Sequence, residues 1–436
     1  MVVSRDKSPT AQETFMQMAQ AAGLRKRILL TVGLLILARL GVFIPVPGID
    51  RVAFTNAIEG SGFGGILNFI DILAGGGFAQ LGIFALGILP FINASIIMQL
   101  LTAAIPSLED LQKNEGEAGR RKISQITRYV ALGWSALQSV GIALFVNTFA
   151  TSPGTLFVIQ TVLALVAGSM FVMWMGELIT EKGIGNGASL LIFLNICSSL
   201  PNSFGDTIDL AQEGNRGIIG GIVILMLAFL AMIVGIVFVQ EGTRRIPIVS
   251  ARRQVGRRTY LEKSSYLPLR LNQGGVMPII FASAVLIIPA SLTQFFQNDA
   301  LITVVNALQP GSWVYVVVFL TLILFFSYFY ASLIVNPEDM SKNLKKMGSS
   351  IPGIRPGKAT CEYLTKVLNR LTFLGAIFLG MVAIIPTAVE GATGITTFQQ
   401  GFGATSLLIL VGVAIDTAKQ VQTYVISQRY EGMVKQ

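Results

Sequence analysis

The sequence predicts an all-α membrane protein with ten transmembrane helices in two inverted five-helix halves around a central path. Composition, the alternation of basic residues between loops, and an internal repeat carry this prediction. The chain has 436 residues, of which 53% are hydrophobic and 13% charged, and its mean hydropathy is +0.67. Soluble domains carry roughly 25% charged residues. Apolar runs of about 20 residues, each enough to cross a ~30 Å hydrocarbon core, recur along the chain. They place spans over 28–46, 82–105, 124–147, 155–177, 186–200, 217–239, 274–296, 312–335, 371–389 and 403–425, the short run 186–200 giving the weakest signal.

The net charge of +9 tests that layout. Arg25–Arg27, Arg120–Lys122, Lys182, the arginines of 240–272, the basic residues of 336–370, and Lys419, Arg429 and Lys435 all fall on one side. The opposite loops hold only Arg51 and Arg216. A missed or invented span would destroy this bias. The positive-inside rule puts both termini, the tails 1–27 and 426–436, in the cytoplasm. The first 27 residues are mostly polar and lack the apolar region and small-residue site of a cleavable signal peptide.

Gly64–Ala74 is apolar and helical in period but has only about 11 residues, too few to span. Gly75-Gly76-Gly77 follows it as a hinge. The residues alone leave two readings open: a half-helix dipping in from outside, or an interfacial helix lying on the membrane.

Two pieces of sequence recur. Gly87-Ile88-Leu89-Pro90-Phe91-Ile92-Asn93-Ala94-Ser95 aligns with Gly275-Val276-Met277-Pro278-Ile279-Ile280-Phe281-Ala282-Ser283. Gly185–Ile192 aligns with Gly401–Ile409 with one insertion. The matches pair the second span with the seventh and the fifth with the tenth. Each half, 28–200 and 217–425, then has five spans, and an odd number forces opposite orientations. That is the inverted-repeat plan, whose functional path runs between the halves.

The repeat superposes Ile92 on Ile280 and Ile192 on Ile409, four isoleucines that would form an apolar collar or simply pack helices. Pro90 and Pro278 lack an N–H and are expected to loosen their helices about one turn away. Ion-coupled transporters carry ionisable residues at the midplane. Here only Arg39, Asp71 and Asp416 are candidates, and none belongs to a repeated pair. Arg39 fits an interhelix partner or a snorkelling side chain better than a transport site. An uncharged apolar constriction instead suggests a pore gated by width and dewetting.

Histidine is absent. Zinc, haem, iron–sulfur and His-based triad chemistry are excluded on that count and by the two cysteines, Cys197 in an apolar run and Cys361 in an expected loop. No cofactor is expected. No GxxxxGK[ST] loop supplies nucleotide energy from within the chain. A membrane-embedded enzyme would need paired aspartates, a Ser/His dyad or zinc. An inverted-repeat secondary transporter, the main alternative, would need a midplane carboxylate pair or an ion-binding broken helix. An insertase has fewer spans and a polar groove.

Several runs resemble the SecY family of protein-conducting channels in its bacterial form: Phe43–Ile49 (FIPVPGI), Glu117–Gln125 (EAGRRKISQ), Gly183–Gly187 (GIGNG) and Pro352–Gly357 (PGIRPG). The likeness covers about Leu24 to Tyr430. It implies two five-helix halves around an hourglass pore. By matching position, the pore ring would be Ile88, Ile92, Ile192, Ile280 and Ile409. The plug would be the half-helix 64–74, with Gly64, Ile66, Leu67, Phe69, Ile70, Asp71 and Leu73. A lateral gate would lie between the second and third spans on one side and the seventh and eighth on the other, with Pro90, Asn93, Ser95 and Gln99 facing Pro278, Phe281 and Ser283.

The long loops 240–272 and 336–370 would dock partners through Arg252, Arg253, Arg257, Arg258 and Arg355, since arginine suits both phosphate and carboxylate. The resemblance implies SecE- and SecG-like small membrane subunits, a SecA motor ATPase or a translating ribosome as driver, and signal sequences and nascent polypeptides as passengers released into the lipid bilayer. The membrane is a bacterial-type plasma membrane or a thylakoid, between which the residues do not choose.

Overall fold

The computed structural model describes residues 22–50, 54, 71, 74–212, 216–250, 254–255, 258–259, 264–293, 303–305, 307–308, 312–393 and 404–434. Its helices are α1 Ala22–Val42, α2 Leu89–Ala104, α3 Pro106–Asn114, α4 Gly116–Val146, α5 Thr155–Lys182, α6 Gly187–Gln212, α7 Arg216–Glu241, α8 Met277–Thr293, α9 Trp313–Ile334, α10 Pro337–Lys346, α11 Lys358–Thr393 and α12 Ala404–Val434. Strands β1 Thr243–Ser250, β2 Gln254–Val255, β3 Arg258–Thr259, β4 Ser264–Arg270 and β5 Ser349–Ser350 lie between them. Among the described residues, five helical stretches are long and apolar enough to cross a membrane: Gly116–Phe149, Thr155–Lys182, Gly220–Glu241, Trp313–Lys346 and Lys358–Pro386.

The chain forms two compact units. One comprises residues 1–205, 287–309 and 413–436, the other 206–286 and 310–412. In the first, α1 packs on α5, and α4 lies against both α2 and α5. Arg128 Nε donates to Glu177 Oε1 at 2.8 Å, tying α4 to α5. The FIPVPGI run is an extended clasp. The Val46 N–H donates to the Leu81 carbonyl, the Ile83 N–H donates to the Ile44 carbonyl, and the Thr151 N–H reaches the Gly48 carbonyl. These bonds seat the segment before α2 on a core that includes Phe54, Phe78, Leu81, Val146 and Leu165.

The GIGNG run is a junction rather than a span end. The Ile184 N–H donates to Thr31 Oγ1 of α1, the Gly185 N–H to Gln420 Oε1 of α12, and the Gly187 N–H to Thr180 Oγ1 of α5. Arg27 stacks over the Tyr424 ring at 5.2 Å. Asn186 starts α6 by accepting from the Ala188 and Ser189 N–H groups, satisfying donors that a helix start leaves open.

In the second unit α11 packs on α7 and α9. The described residues of the loops expected over 240–272 and 336–370 include regular strands and helices. They fold into one platform, a β4-β1-β5 sheet with β1 antiparallel to both neighbours. Ile246 and Ile248 point inward at a spacing of two, as a half-buried strand requires. They share a core with Leu269, Leu344, Ile351, Leu364, Leu368 and Leu371. Helix α10 is capped by Asn336, whose Oδ1 accepts from the Glu338 N–H, with acids in its first turn and lysines in its last. That arrangement offsets both ends of the helix dipole.

Three further expectations change. Cys361 stands in the first turns of α11, not in a loop. The run 186–200 continues as helix to Gln212, with Pro201 inside it. The span read over 82–105 is helical only from Leu89, because residues 75–88 form turns fixed by the clasp.

Candidate functional site: buried isoleucines on repeated helix starts

The second and seventh spans share their first turn in backbone detail. Gly87 and Gly275 both adopt left-handed backbone, at φ 52° and 61°, a conformation cheap only for glycine. The Leu89 N–H donates to the Leu86 carbonyl, and the Met277 N–H donates to the Gly274 carbonyl. Ile92 and Phe91 both donate to the Ile88 carbonyl, as Ile280 and Ile279 both donate to the Val276 carbonyl. The sequence repeat is therefore a structural repeat.

This geometry corrects the expectation for the prolines. Pro90 sits in the first turn of α2 and Pro278 is the second residue of α8. There the missing N–H has no helical partner to lose, and the fixed φ suits a helix start. Pro90 and Pro278 launch their helices and do not kink them. The mid-helix prolines are Pro201, Pro289 and Pro386.

All five proposed ring isoleucines are buried: Ile88, Ile92 and Ile192 in the first unit, Ile280 and Ile409 in the second. In the first unit, a Cβ built at Gly176 of α5 would stand 3.2 Å from Ile88 Cδ1 and 3.4 Å from Leu191 Cδ1. Ile88 is thus held between α5 and the start of α6, which bears Ile192. In the second unit α12 lies so close to α8 that a Cβ on Gly412 would fall 2.0 Å from Val276 Cγ2. Val276 precedes Ile280 by one turn and Gly412 follows Ile409 by about one turn, so the contact fixes both isoleucines.

Each gate pair packs within its own unit. Ala94 of α2 meets Ala131 of α4 in a small-residue contact. Phe281 of α8 is edge-on to Phe326 and Tyr330 of α9, at 5.8 and 5.2 Å. Pro90, Asn93, Pro278 and Ser283 are buried, while Ser95 and Gln99 are half-buried. Asn93 Oδ1 and Gln99 Oε1 on α2, and Ser135, Gln138 and Ser139 side-chain oxygens on α4, are buried without a hydrogen-bond partner among the described residues. Ser283 Oγ donates to the Ile280 carbonyl at 2.9 Å.

Of the plug residues, Asp71 is described and helical, as is Ala74. Gly64, Ile66, Leu67, Phe69, Ile70 and Leu73 lie outside the described residues. So do Arg252, Arg253 and Arg257. The backbone of Arg258 belongs to β3, opposite Val255 of β2. Arg355 is exposed in the turn before α11, and its carbonyl accepts from Thr360 Oγ1 at 2.9 Å. Among the described residues no three of His, Cys, Asp and Glu gather as a metal-binding group.

Reading the sequence did not give Arg39 its role. Its Nη1 donates to the Gly75 carbonyl, and its guanidinium lies over the Phe43 ring at 5.0 Å. These contacts tie Arg39 to the turn at Gly75 and to the end of its own segment.

The SecY family model matches residues 82–418. Over all of both chains, the protein is 72% identical to the protein translocase subunit SecY of Synechococcus elongatus. The chain belongs to the SecY family. Among solved structures, a SecY whose plug domain is described as stabilising the closed translocation channel and maintaining a membrane seal superposes with TM-score 0.62. That match has 16% identity and covers 91% of each chain. Sec61 in a canine ribosome–channel complex gives 0.58 at 18% identity, again over 91% of each chain. The fold is that of the SecY and Sec61 channels, and the protein is an integral membrane protein.

Proposed function

We propose that the chain is the pore-forming subunit of a Sec protein-conducting channel. It passes unfolded polypeptides bearing signal sequences across the membrane and releases transmembrane segments into lipid through a lateral gate. The observation that carries this reading is the end-to-end identity to a protein translocase subunit. The five buried isoleucines on repeated helix starts support it.

At rest the ring and the plug exclude water and ions. Aliphatic side chains suit a ring that must pass any sequence, because they make no directional bonds with the passenger and pack around it. An apolar signal sequence enters between the gate pairs, α2 with α4 and α8 with α9, and offers contacts that lipid otherwise supplies. Unpartnered amide and hydroxyl groups on α2 and α4 support a gate of this kind. Such groups gain hydrogen bonds from a visiting backbone. Transmembrane passengers leave sideways by apolar partitioning.

Energy comes from outside the chain, through a SecA motor ATPase or a translating ribosome docked on the platform. A neighbour of the same fold in a ribosome–channel complex supports a ribosome as one such driver. Arg258, in β3 between β1 and β4 in sequence, and the exposed Arg355 before α11 would contribute to such a dock. Small SecE- and SecG-like subunits complete the complex. Both termini face the cytoplasm of a bacterial-type plasma membrane or its thylakoid equivalent.

Planar-bilayer conductance of the chain with its small subunits, before and after deletion of residues 64–74, tests the proposal. A silent parent and large, poorly selective openings in the deletion are expected. Silence in both forms would overturn the plugged-pore reading in favour of a carrier.

A further inference from the structure

The turn between α5 and α6 is held by side chains from three helices, and the chemistry of the ring does not by itself account for that arrangement. Thr31 Oγ1 of α1 accepts from the Ile184 N–H at 3.1 Å. Gln420 Oε1 of α12 accepts from the Gly185 N–H, and Thr180 Oγ1 of α5 from the Gly187 N–H, both at 2.9 Å. All these residues belong to the first compact unit.

The two threonines work alike. Each hydroxyl donates its proton to the carbonyl four residues earlier in its own helix, Thr31 to Arg27 and Thr180 to Gly176, both at 2.9 Å. A hydroxyl has one donor and two lone pairs, so what remains to face the turn is an acceptor. A fixed oxygen on a helix thus meets an N–H that the turn leaves open. Gln420 supplies the third acceptor from an exposed position. Arg27 lies over the Tyr424 ring, one turn further along α12, and holds that stretch of α12 against α1.

The turn has no room to shift toward α5. A Cβ on Gly187 would stand 1.9 Å from the Gly176 carbonyl oxygen, and one on Gly183 would stand 2.5 Å from Thr31 Oγ1. Gly185 is left-handed at φ 86°, a conformation cheap only for glycine. The start of α6 therefore rests on the backbone of α5 at Gly176. That same glycine faces Ile88 Cδ1 and Leu191 Cδ1. Ile192 follows Gly187 by about one and a half helical turns. Whatever fixes the start of α6 fixes Ile192 and the wall against which Ile88 lies.

We propose that Thr31, Thr180 and Gln420 are positioning residues that set Ile88 and Ile192 through the start of α6, and so set how strictly the constriction demands a signal sequence. The proposal rests on the ring reading above and makes no use of residues 64–74. Removing one acceptor leaves a turn N–H without its partner, which penalises the present position of the turn. Positions in which that N–H meets water are not penalised, so the population moves toward them. Ile192 moves with the helix that carries it.

The test uses the whole chain with its small subunits. It reads resting conductance in planar bilayers and the ratio of defective-signal to intact precursor exported per assembled complex. Loss of stability alone lowers the amount of complex and leaves that ratio unchanged. Thr180→Val keeps the shape and removes the acceptor, and is expected to raise both conductance and the ratio about fivefold or more. Thr180→Ser restores the hydroxyl and stays within about twofold of the parent. Gln420→Met removes an acceptor from an exposed site, so the complex assembles, and it shifts both readouts in the same direction by less. Gln420→Glu keeps the acceptor and stays at the parent level.

The Ile92→Asn/Ile280→Asn variant is measured alongside. If it raises the ratio while Thr180→Val and Gln420→Met keep the parent value, the positioning role is overturned and the ring stands. If it also keeps the parent value, the ring reading fails and the positioning role fails with it. If Thr180→Ser raises the ratio as far as Thr180→Val, side-chain volume and not the acceptor is what matters, and the proposal is overturned. Should Thr180→Val not assemble, Gln420→Met and Gln420→Glu decide. A raised ratio in the first and the parent ratio in the second supports the positioning role, and any other pattern overturns it.

Discussion

Single residues would set the chemistry of the proposed constriction, and at this scale the sequence was most informative. The repeat aligns Ile92 with Ile280 and Ile192 with Ile409. The structure adds why they sit where they do: Gly87 and Gly275 turn the chain left-handed one residue before Ile88 and Val276. In the proposed ring, replacing Ile92 and Ile280 together with asparagine would put amides where aliphatic side chains would otherwise exclude water. Resting ion conductance should rise by about tenfold or more, as expected when a pore gated by dewetting becomes wettable. Precursors with defective signals should then be exported. Unchanged leak and unchanged selectivity in that variant would contradict the ring. Arg39 was not legible to the same degree. Its partner Gly75 lies 36 positions away and offers only a carbonyl, which no side-chain pattern announces.

At the scale of elements, apolar runs located the spans but misjudged what surrounds them. Hydropathy averages over a window, so it could not see that 82–88 are turns held by a clasp, or that α11 begins at Lys358 rather than near 371. The alternation Arg245, Ile246, Pro247, Ile248 was a readable strand signal. Asn336-Pro337-Glu338-Asp339 was a readable helix start. Joining the two loops into one sheet needs tertiary pairing between Val249 and Ser350, about a hundred residues apart, which periodicity cannot supply.

The platform makes its own prediction. Leu364 is fully buried in its core. Leu364→Ala should weaken the platform by about 2–5 kcal/mol, the usual range for a large-to-small change in a core. Limited proteolysis between β1 and β4 should speed up, and binding of a SecA-type ATPase or of ribosomes should weaken. Resting conductance should stay at the parent level, because the ring lies elsewhere in the chain. Equal loss of docking and of closure would show that the platform is not a separate module.

For the whole molecule, the inverted repeat and the family match support one account: two related sets of helices, in which the glycine-turned, proline-launched starts of α2 and α8 carry Ile92 and Ile280. The compact units do not follow the chain's midpoint. Residues 287–309 and 413–436 belong with the first unit, so α8 and α12 each begin in one unit and end in the other. Sequence order alone could not reveal this, because it depends on which contacts the chain makes after folding.

The central claim is that this chain conducts polypeptides. It is tested most directly by purifying the chain with its small subunits into proteoliposomes and adding a SecA-type ATPase, ATP and an unfolded precursor bearing a signal sequence. The account predicts that the precursor becomes protected from added protease, that protection needs both ATP and an intact signal sequence, and that the Ile92→Asn/Ile280→Asn variant relaxes the need for the signal. Protection that is absent with every component present and active, or that is unaffected by loss of the signal sequence in the parent chain, would contradict it.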